Sequence, residues 1–242
     1  MVDFLADVEP LKPSGTVRVA TGIAGLDEAT EGGYPKHSLI MLSGKCGTGR
    51  TTFGLQFLCA GAAIGEHGVF VTLEKEPPEV VAHASGYAWG VKDYFDKHTV
   101  SIVKPDMHRF DTFKKNLEDE IYRTGAKRLV IDSFSLISAY FQEDPYDVRR
   151  SIADLGRMAR RLDCTTIIIE DILEGSPFLS YTGYKEFVVG GVIVLDIVKK
   201  DASTFARTLY VRKMAGTNHS LKLIPFEISS EGVTAYPDAE VF

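Results

Sequence analysis

One nine-residue stretch, GKCGTGRTT at positions 44–52, constrains the fold of this chain more than any other feature. It matches the phosphate-loop signature G-x-x-x-x-G-K-[ST] from Gly44 through Gly49 to Thr51, except that Arg50 stands at the lysine position. In such a loop the backbone N–H groups surround a phosphate, the lysine reaches the β- and γ-phosphates, and the hydroxyl binds Mg²⁺. The motif works between a buried strand and a helix, so it predicts a nucleotide-binding α/β domain.

The sequence on both sides of the loop has the pattern that the motif requires. Residues 38–42 form a short apolar run that ends in Ser43 and Gly44, which is typical of a buried strand. A helix is expected to begin at Arg50, because apolar residues then recur at i, i+3, i+4 and i+7 and share one face. These residues are Leu55, Leu58, Cys59 and Ala62.

Strand and helix patterns alternate through the rest of the chain until residue 187, after which strands follow one another. Strands are predicted at 69–73, 99–103, 128–131, 165–169, 188–198, 208–213, 221–228 and 233–236. Helices are predicted at 78–89, 110–122 and 145–162, the last with Asp144 as its N-cap. This order predicts a mostly parallel twisted sheet with helices on both faces and C-terminal antiparallel strands. We expect one domain over residues 15–242, after a flexible N-terminal segment at 1–14.

Composition restricts where such a protein can act. The longest apolar runs, 188–195 and 165–169, are far shorter than the ~20 residues that cross a bilayer, and the acidic N-terminus lacks the basic leader of a signal peptide. Three cysteines without a C-x-x-C spacing fit neither a disulfide framework nor a zinc site. A net charge of −6 argues against a surface that coats nucleic acid. We therefore expect a cytoplasmic protein without membrane contact.

Two carboxylates follow predicted strands where an open α/β sheet gathers its ligand chemistry. Asp132 closes the run RLVID and is placed as a Walker B carboxylate that holds the Mg²⁺ shell beside Thr51; alternatively it caps the following loop. Glu74 ends the strand after the phosphate-loop helix and is placed to polarise an attacking water; alternatively it is a solvated turn carboxylate. Glu170 and Asp171 end another strand and are weaker candidates for contact with magnesium or water.

The motifs together resemble the KaiC-like branch of the RecA superfamily of P-loop ATPases. They cover nearly the whole chain in the family's order: TGIAGLDEATEGGYP at 21–35, GTGRT at 47–51, VFVTLEKEP at 69–77, LVIDS at 129–133, KEFVVGGVIVL at 185–195, RKMAGTNHS at 212–220 and IPFEI at 224–228. The resemblance implies a RecA-like core, ATP or ADP with Mg²⁺ as ligands, and a homo-oligomer, in rings with nucleotide between neighbours.

The resemblance also implies roles for individual residues. Contacts to the nucleotide are implied for Gly44, Gly47, Thr48, Gly49, Arg50, Thr51 and Thr52, and Mg²⁺ ligation for Thr51 and Asp132. Glu74 matches the first of two adjacent glutamates that activate water. Lys213, Thr217 and His219 match a strand and turn that reach the nucleotide of the neighbouring subunit.

Three departures from the family pattern weaken catalysis. Arg50 replaces the Walker lysine, Lys75 replaces the second glutamate, and Ala215 stands where the family has a trans-acting arginine. That arginine is worth about 10³ to 10⁵ in rate where it is present. A guanidinium is a planar fork and an ammonium is a point charge, so position 50 is not conservatively replaced. We expect ATP binding with weak or absent hydrolysis, in a nucleotide-dependent assembly or signalling module.

Two alternatives remain open at this point. One is an active ATPase in which Glu74 activates water and either Arg50 or Lys45 serves as the cation; Lys45 matches the second-position lysine of MinD-like and ParA-like loops, and is otherwise an exposed loop lysine. The other is a DNA-associated, RadA-like recombinase paralogue. Its basis is a set of arginines on one predicted helix, which is otherwise a solvated face: Arg149, Arg150, Arg157, Arg160 and Arg161.

Overall fold

The computed structural model describes residues 15–107, 109–137, 145–180 and 183–241. Its strands are β1 (Arg18–Val19), β2 (Tyr34–Pro35), β3 (Leu39–Gly44), β4 (Gly68–Thr72), β5 (Val100–Val103), β6 (Arg128–Asp132), β7 (Thr165–Asp171), β8 (Gly191–Lys199), β9 (Phe205–Met214), β10 (Ile224–Ser229) and β11 (Gly232–Ala235). Its helices are α1 (Ala24–Ala29), α2 (Arg50–Ala63), α3 (Pro77–Ala84), α4 (Val91–Asp96), α5 (Phe110–Thr124) and α6 (Pro145–Arg161), with a 3₁₀ turn at Lys185–Phe187.

A nine-stranded sheet in the order β11-β10-β9-β8-β3-β7-β6-β4-β5 forms the centre of the fold. The strands from β8 to β5 in this order pair in parallel, and β9, β10 and β11 add antiparallel to the edge beyond β8. The predicted fold class is confirmed. Because β3, β4, β6 and β7 are parallel, their carboxyl ends meet at one edge of the sheet, where ligands bind in such folds.

Two apolar cores cover the two faces of this sheet. On one face, Phe53, Leu55 and Leu58 of α2 are buried against strand residues such as Val130 and Ile167. On the other face, α5 and α6 bury their apolar stripes against the sheet, for example Leu117 and Leu155. Apolar area removed from water contributes roughly 25 cal/mol per Å², so both helical layers stabilise the sheet that carries the loop at 44–49.

Some predicted element boundaries are wrong. The helix expected over 78–89 ends at Ala84, because the chain turns at residues 85–89. A second helix begins at Val91, and its N-cap Gly90 adopts a left-handed φ of +66°. β7 runs on to Asp171 and pairs with Gly44, where the predicted strand ended at 169. β8 begins at Gly191, because Lys185–Phe187 form a 3₁₀ turn, and β10 begins at Ile224, three residues later than expected.

The segment 1–14 and the proposed N-cap Asp144 lie outside the described residues. Within the described ranges, none of the helices has the length and apolar character that a bilayer crossing requires.

Candidate active site

The loop between β3 and α2 has the backbone conformation of a phosphate loop. Gly47 and Gly49 adopt left-handed φ values of +79° and +91°, which residues with a Cβ rarely tolerate. A Cβ on Gly49 would lie 2.3 Å from Cδ1 of Ile228, and one on Gly44 would lie 2.6 Å from Oγ1 of Thr48. Thr48 is buried and donates from its hydroxyl to the carbonyl of Lys45 at 2.8 Å. The close contact of Thr48 with Gly44 and its bond to Lys45 therefore fix the conformation of the loop.

A pocket opens directly above this loop, at the carboxyl edge of the sheet. We call it the phosphate pocket; it is lined by Gly47, Gly49, Arg50, Thr51, Thr52, Thr72, Glu74, Lys75, His83, Asp132, Ser133 and Asp171. The pocket brings together loop residues, both predicted strand-end carboxylates and one of the two weaker candidates. Gly44 and Thr48 are not among the lining residues.

Thr51 and Asp132 meet inside the pocket. The Thr51 hydroxyl donates to Oδ2 of Asp132 at 2.7 Å. Burial raises the pKa of Asp132, while the Thr51 hydrogen bond and the charges of Lys75 and Arg50 oppose that rise. Oxygen donors suit Mg²⁺, which takes few protein ligands and completes its shell with water and substrate phosphates. This pair fits a Mg²⁺ ion, and both residues remain its predicted ligands.

Arg50 is held by its own chain. Its Nη1 donates to Oδ1 of Asp171 at 2.5 Å and to the backbone carbonyl of Glu170 at 2.6 Å. Asp171 also accepts from the Ser133 hydroxyl at 2.8 Å. Burial opposes ionisation of Asp171, but the charge of Arg50 and the hydrogen bonds from Ser133, Arg50 and Ser135 outweigh it and hold the pKa of Asp171 below its usual value. The guanidinium thus neutralises a carboxylate at the end of β7.

A buried ion pair supports this strand end from behind. Lys185 and Glu170 form a salt bridge with both side chains fully buried, and the Lys185 ammonium also lies 5.0 Å from the ring centre of Phe134. Ser135 donates to Oε2 of Glu170 at 3.1 Å and accepts from the backbone N–H of Asp171 at 2.7 Å. Sequence reasoning missed Lys185, Ser133 and Ser135, although Ser133 directly follows Asp132.

Glu74 and Lys75 enter the pocket from the turn after β4. Thr72 fixes this turn, because its hydroxyl accepts from the backbone N–H of Lys75 at 3.1 Å and donates to the Lys75 carbonyl at 2.8 Å. Both side chains are exposed to the pocket opening. Partial desolvation at the pocket wall, followed by the negative charges of Asp171 and Asp132, raises the pKa of Glu74. A carboxyl group with a raised pKa suits proton transfer.

An aromatic cluster of His83, Tyr87 and Trp89 lies beside α2. The Thr52 hydroxyl is 2.9 Å from the Tyr87 hydroxyl and 3.2 Å from Nε2 of His83. The rings of Tyr87 and Trp89 stack with centroids 4.3 Å apart, and Trp89 donates to the carbonyl of Glu231 at 3.0 Å. Sequence reasoning missed this cluster, because two of its members fall in irregular chain between α3 and α4.

A second groove lies on the other side of the loop, along β9 and β10. Arg207 donates to the Gly47 carbonyl at 3.4 Å, and the Ile228 side chain touches the loop at Gly49. The groove, which we call the β9–β10 groove, is lined by Ile197, Lys200, Thr204, Phe205, Ala206, Arg207, Pro225, Phe226, Glu227, Ile228 and Tyr236. Sequence reasoning named no site candidate here, and the exposed Phe205 lies before the predicted strand at 208–213.

The three residues expected to serve a neighbouring subunit do not line the phosphate pocket of their own chain. The Lys213 ammonium donates to the carbonyls of Val189 at 2.7 Å and Glu186 at 3.3 Å, and burial lowers its pKa. Thr217 accepts from Arg18 at 3.0 Å, and Nδ1 of His219 lies 3.1 Å from the Ser220 carbonyl. Their role toward another subunit stays a prediction.

Lys45 and two of the arginines of α6 have partners outside the phosphate pocket. Lys45 pairs with Asp196 of β8 at 3.1 Å. On α6, Arg161 pairs with Glu118 at 2.5 Å and Arg157 with Asp154, so part of the arginine face is neutralised within the chain. Cys46 is an exposed free thiol in the loop.

Comparisons with known proteins agree on one family. A family model described as "ATPase: KaiC" matches residues 19–240. The UPF0273 protein PH0284 of Pyrococcus horikoshii is 34% identical over 240 residues, covering 92% of this chain and 95% of the relative. The circadian clock oscillator protein KaiC of Prochlorococcus marinus is 32% identical, covering 90% of this chain but 46% of the longer relative. The crystal structure of the KaiC-like protein PH0186 of P. horikoshii superposes with a TM-score of 0.81 at 35% identity, covering 92% of this chain and all of that one.

Proposed function

The chain belongs to the KaiC family of ATPases, and on that premise we propose that it binds ATP with Mg²⁺ and hydrolyses it slowly or not at all. The observation that carries the proposal is the phosphate pocket, in which a glycine loop with left-handed Gly47 and Gly49 faces the hydrogen-bonded pair of Thr51 and Asp132. Loop amides and the N-terminus of α2 favour phosphate oxygens independently of the residue at position 50.

The proposed slow turnover rests on three positions. The Arg50 guanidinium is bound to Asp171 and the Glu170 carbonyl, so it is not a free cation for the phosphates. Lys75 occupies the position of a second water-activating glutamate, and Ala215 offers no charge to a neighbouring site. Rate enhancement in phosphoryl transfer comes almost entirely from positioning and charge stabilisation, so these changes remove transition-state interactions while leaving the amide cradle intact.

The chain's own residues have separate parts in the proposed binding. Bound Mg²⁺ would neutralise phosphate charge, with Thr51 and Asp132 holding it. Loop N–H groups orient the phosphates, and Glu74 is the carboxylate positioned to accept a proton from a water in the pocket. Its raised pKa makes it a better proton acceptor than an ordinary carboxylate once it is ionised.

We propose that the adenosine part of the nucleotide lies in the β9–β10 groove. The groove adjoins the loop at Gly47 and Gly49 and offers the exposed rings of Phe205 and Tyr236 as apolar contacts. Arg207 lies between the groove and the loop, where it reaches the Gly47 carbonyl. Aromatic rings stack on bases of any identity, so the groove gives affinity more than selection among bases.

The proposed consequence of binding is assembly. Family membership supports a homo-oligomer, and the placement of Lys213, Thr217 and His219 away from the chain's own pocket agrees with contact to a second subunit. We propose that bound nucleotide stabilises this contact and that the chain acts as a nucleotide-dependent assembly or signalling module. The arginine face of α6 gives no support for DNA binding beyond its charge, since Arg157 and Arg161 pair with acidic residues of the same chain.

Two measurements on the wild-type chain test the proposal. Calorimetric titration with ATP in Mg²⁺ buffer is expected to give a saturable complex, whereas no saturation at millimolar ATP would reject binding. Phosphate release is expected to stay below about 0.01 s⁻¹, given that typical enzymes turn over at about 10 s⁻¹ and the missing arginine costs about 10³ or more.

A matched pair of variants separates slow from ordinary turnover. Glu74→Gln removes the proposed proton acceptor, and Glu28→Gln makes the same change on an exposed position of α1. Turnover of several per second that disappears in Glu74→Gln and persists in Glu28→Gln would show an active ATPase and reject the slow-hydrolysis proposal.

A further inference from the structure

We infer that Lys75 supplies the cation that binds the terminal phosphate of ATP. In other phosphate loops a lysine at the position of Arg50 has this role. The inference deepens the proposed function and rests on it, because it concerns how the same pocket recognises a triphosphate. It assigns a specificity-determining role to a residue that sequence reasoning counted as a loss.

Arg50 already binds two groups of its own chain. Its side chain is 15% exposed, and its guanidinium bridges the Asp171 carboxylate and the Glu170 carbonyl at 2.5 and 2.6 Å. Turning it toward a phosphate would leave Asp171 without its counter-charge beside Asp132 and Glu74, which line the same pocket. A half-buried carboxylate that loses its partner raises the free energy of the folded chain. Arg50 therefore stabilises the carboxyl end of β7.

Two other cations near the loop, Lys45 and Arg207, also have partners within the chain. Lys45 pairs with Asp196 on β8 and does not line the phosphate pocket. Arg207 reaches the Gly47 carbonyl from the β9–β10 groove, on the far side of the loop. Neither side chain lines the phosphate pocket that contains Thr51 and Asp132.

Lys75 lies at the end of the phosphate pocket that contains Asp132. In the parallel register Thr72 pairs with Asp132, and the Thr72 hydroxyl binds both backbone groups of Lys75, so the turn is fixed at the Asp132 end of the pocket. Lys75 lines the pocket, and its charge favours the ionised form of Asp132. Across the described stretches of the chain, no carboxylate forms an ion pair with its ammonium. A lysine is a compact charge on a flexible stem, which suits a phosphate oxygen.

The charge of the pocket gives the physical reason. Its lining contains three carboxylates, Glu74, Asp132 and Asp171, against two permanent cations, Arg50 and Lys75. A triphosphate adds further negative charge, and Arg50 is already paired with Asp171. Without Lys75 the terminal phosphate would face Glu74 and Asp132 with only the loop amides and Mg²⁺ to offset the repulsion. Lys75 at the β4 end of the pocket therefore favours ATP over ADP.

The test compares ATP and ADP affinities of the full chain by calorimetry in Mg²⁺ buffer. Lys75→Gln is expected to weaken ATP binding by at least about tenfold, since a hydrogen bond to a charged group is worth about 1.5–3 kcal/mol, and to change ADP binding by less than about threefold. Lys75→Arg is expected to keep the wild-type preference for ATP. Lys92→Gln, an exposed change of the same charge on α4, is the control and is expected to alter neither affinity.

The outcomes distinguish failure of ATP binding from failure of the role assigned to Lys75. If the wild-type chain binds neither nucleotide, the proposed function fails. If it binds ATP normally and Lys75→Gln binds ATP equally well, or loses ATP and ADP affinity to the same extent, the inference is overturned while the proposed function stands. The Lys75 side chain is exposed, so its replacement leaves the core unchanged, and a melting temperature of Lys75→Gln within a degree or two of wild type confirms that affinity alone has changed.

Discussion

Substitution of Asp171 by asparagine tests whether Arg50 stabilises the end of β7. The introduced amide would keep the shape of the side chain and could still accept from the Ser133 hydroxyl, but the change removes the charge that holds the guanidinium. Arg50 would retain only the bond to the Glu170 carbonyl. We expect Asp171→Asn to destabilise the unliganded chain.

The exposure of the two side chains sets the expected magnitude. Exposed ion pairs contribute up to about 1 kcal/mol, and breaking a fully buried pair costs about 3–5 kcal/mol. Arg50 is 15% exposed and Asp171 is 34% exposed, so solvent screening places this pair nearer the lower range. We expect a loss of about 1.5 kcal/mol in the free energy of unfolding, which lowers Tm by about 3–6 °C for a chain of this size.

A double-mutant cycle isolates the interaction from other effects of each change. The four proteins are wild type, Arg50→Met, Asp171→Asn and the combined variant, and urea unfolding at pH 7 gives the free energies. The coupling energy is expected to reach about 1 kcal/mol or more, consistent with a half-buried pair.

The pH dependence adds a check with a defined sign. Arg50 and the hydrogen bonds lower the pKa of Asp171, so the coupling is fully present above the ordinary carboxyl pKa of about 3.9 and is lost as pH falls through the lower folded value. A coupling energy near zero at pH 7 would refute the assignment of Arg50 to Asp171 and return it to the candidate phosphate ligands.

Three further predictions use other parts of the site. Desolvation in the pocket raises the pKa of Glu74, so its ionisation opposes folding above the ordinary carboxyl range. Glu74→Gln is expected to raise Tm at pH 7 and to leave it unchanged below about pH 4, and a gain independent of pH would contradict this. Gly49→Ala is expected to weaken ATP binding at least about tenfold, because a Cβ meets Ile228 and φ is +91°, and wild-type affinity in a titration would disprove the strain. Lys185→Met removes the ammonium that pairs with the buried Glu170 and is expected to cost about 3–5 kcal/mol in the free energy of unfolding measured in urea. Adding Glu170→Gln is expected to recover at least half of that loss, and no recovery would count against the pair.

The fold was predictable where local pattern and tertiary structure agree. The loop motif requires a strand before Gly44 and a helix from Arg50, and the structure has both. The apolar stripe of α6 predicted a helix over 145–162 and is buried from Val148 to Met158, because a stripe with a 3.6-residue period can be covered only by packing on the sheet. Boundaries failed where a turn interrupts a predicted element, as between Ala84 and Val91.

The candidate site was predictable in part of its membership but not in the contacts among its residues. Sequence spacing placed Thr51, Asp132 and Glu74 near one another, since parallel strands end at one edge. It did not reveal that Arg50 binds Asp171, because that contact joins residues 121 positions apart through the order of β3 and β7 in the sheet. The position of Lys75 was visible, but its function depends on which other cations are already engaged.

The stacked rings of Tyr87 and Trp89 have a practical consequence. Trp89 is the chain's single tryptophan, and the Tyr87 hydroxyl that it stacks beside lies 2.9 Å from the hydroxyl of Thr52 in the first turn of α2. A ligand that draws Thr52 toward its phosphates changes the surroundings of one indole and of no other. We therefore expect the emission spectrum of the unlabelled protein to change when the neighbouring pocket is occupied.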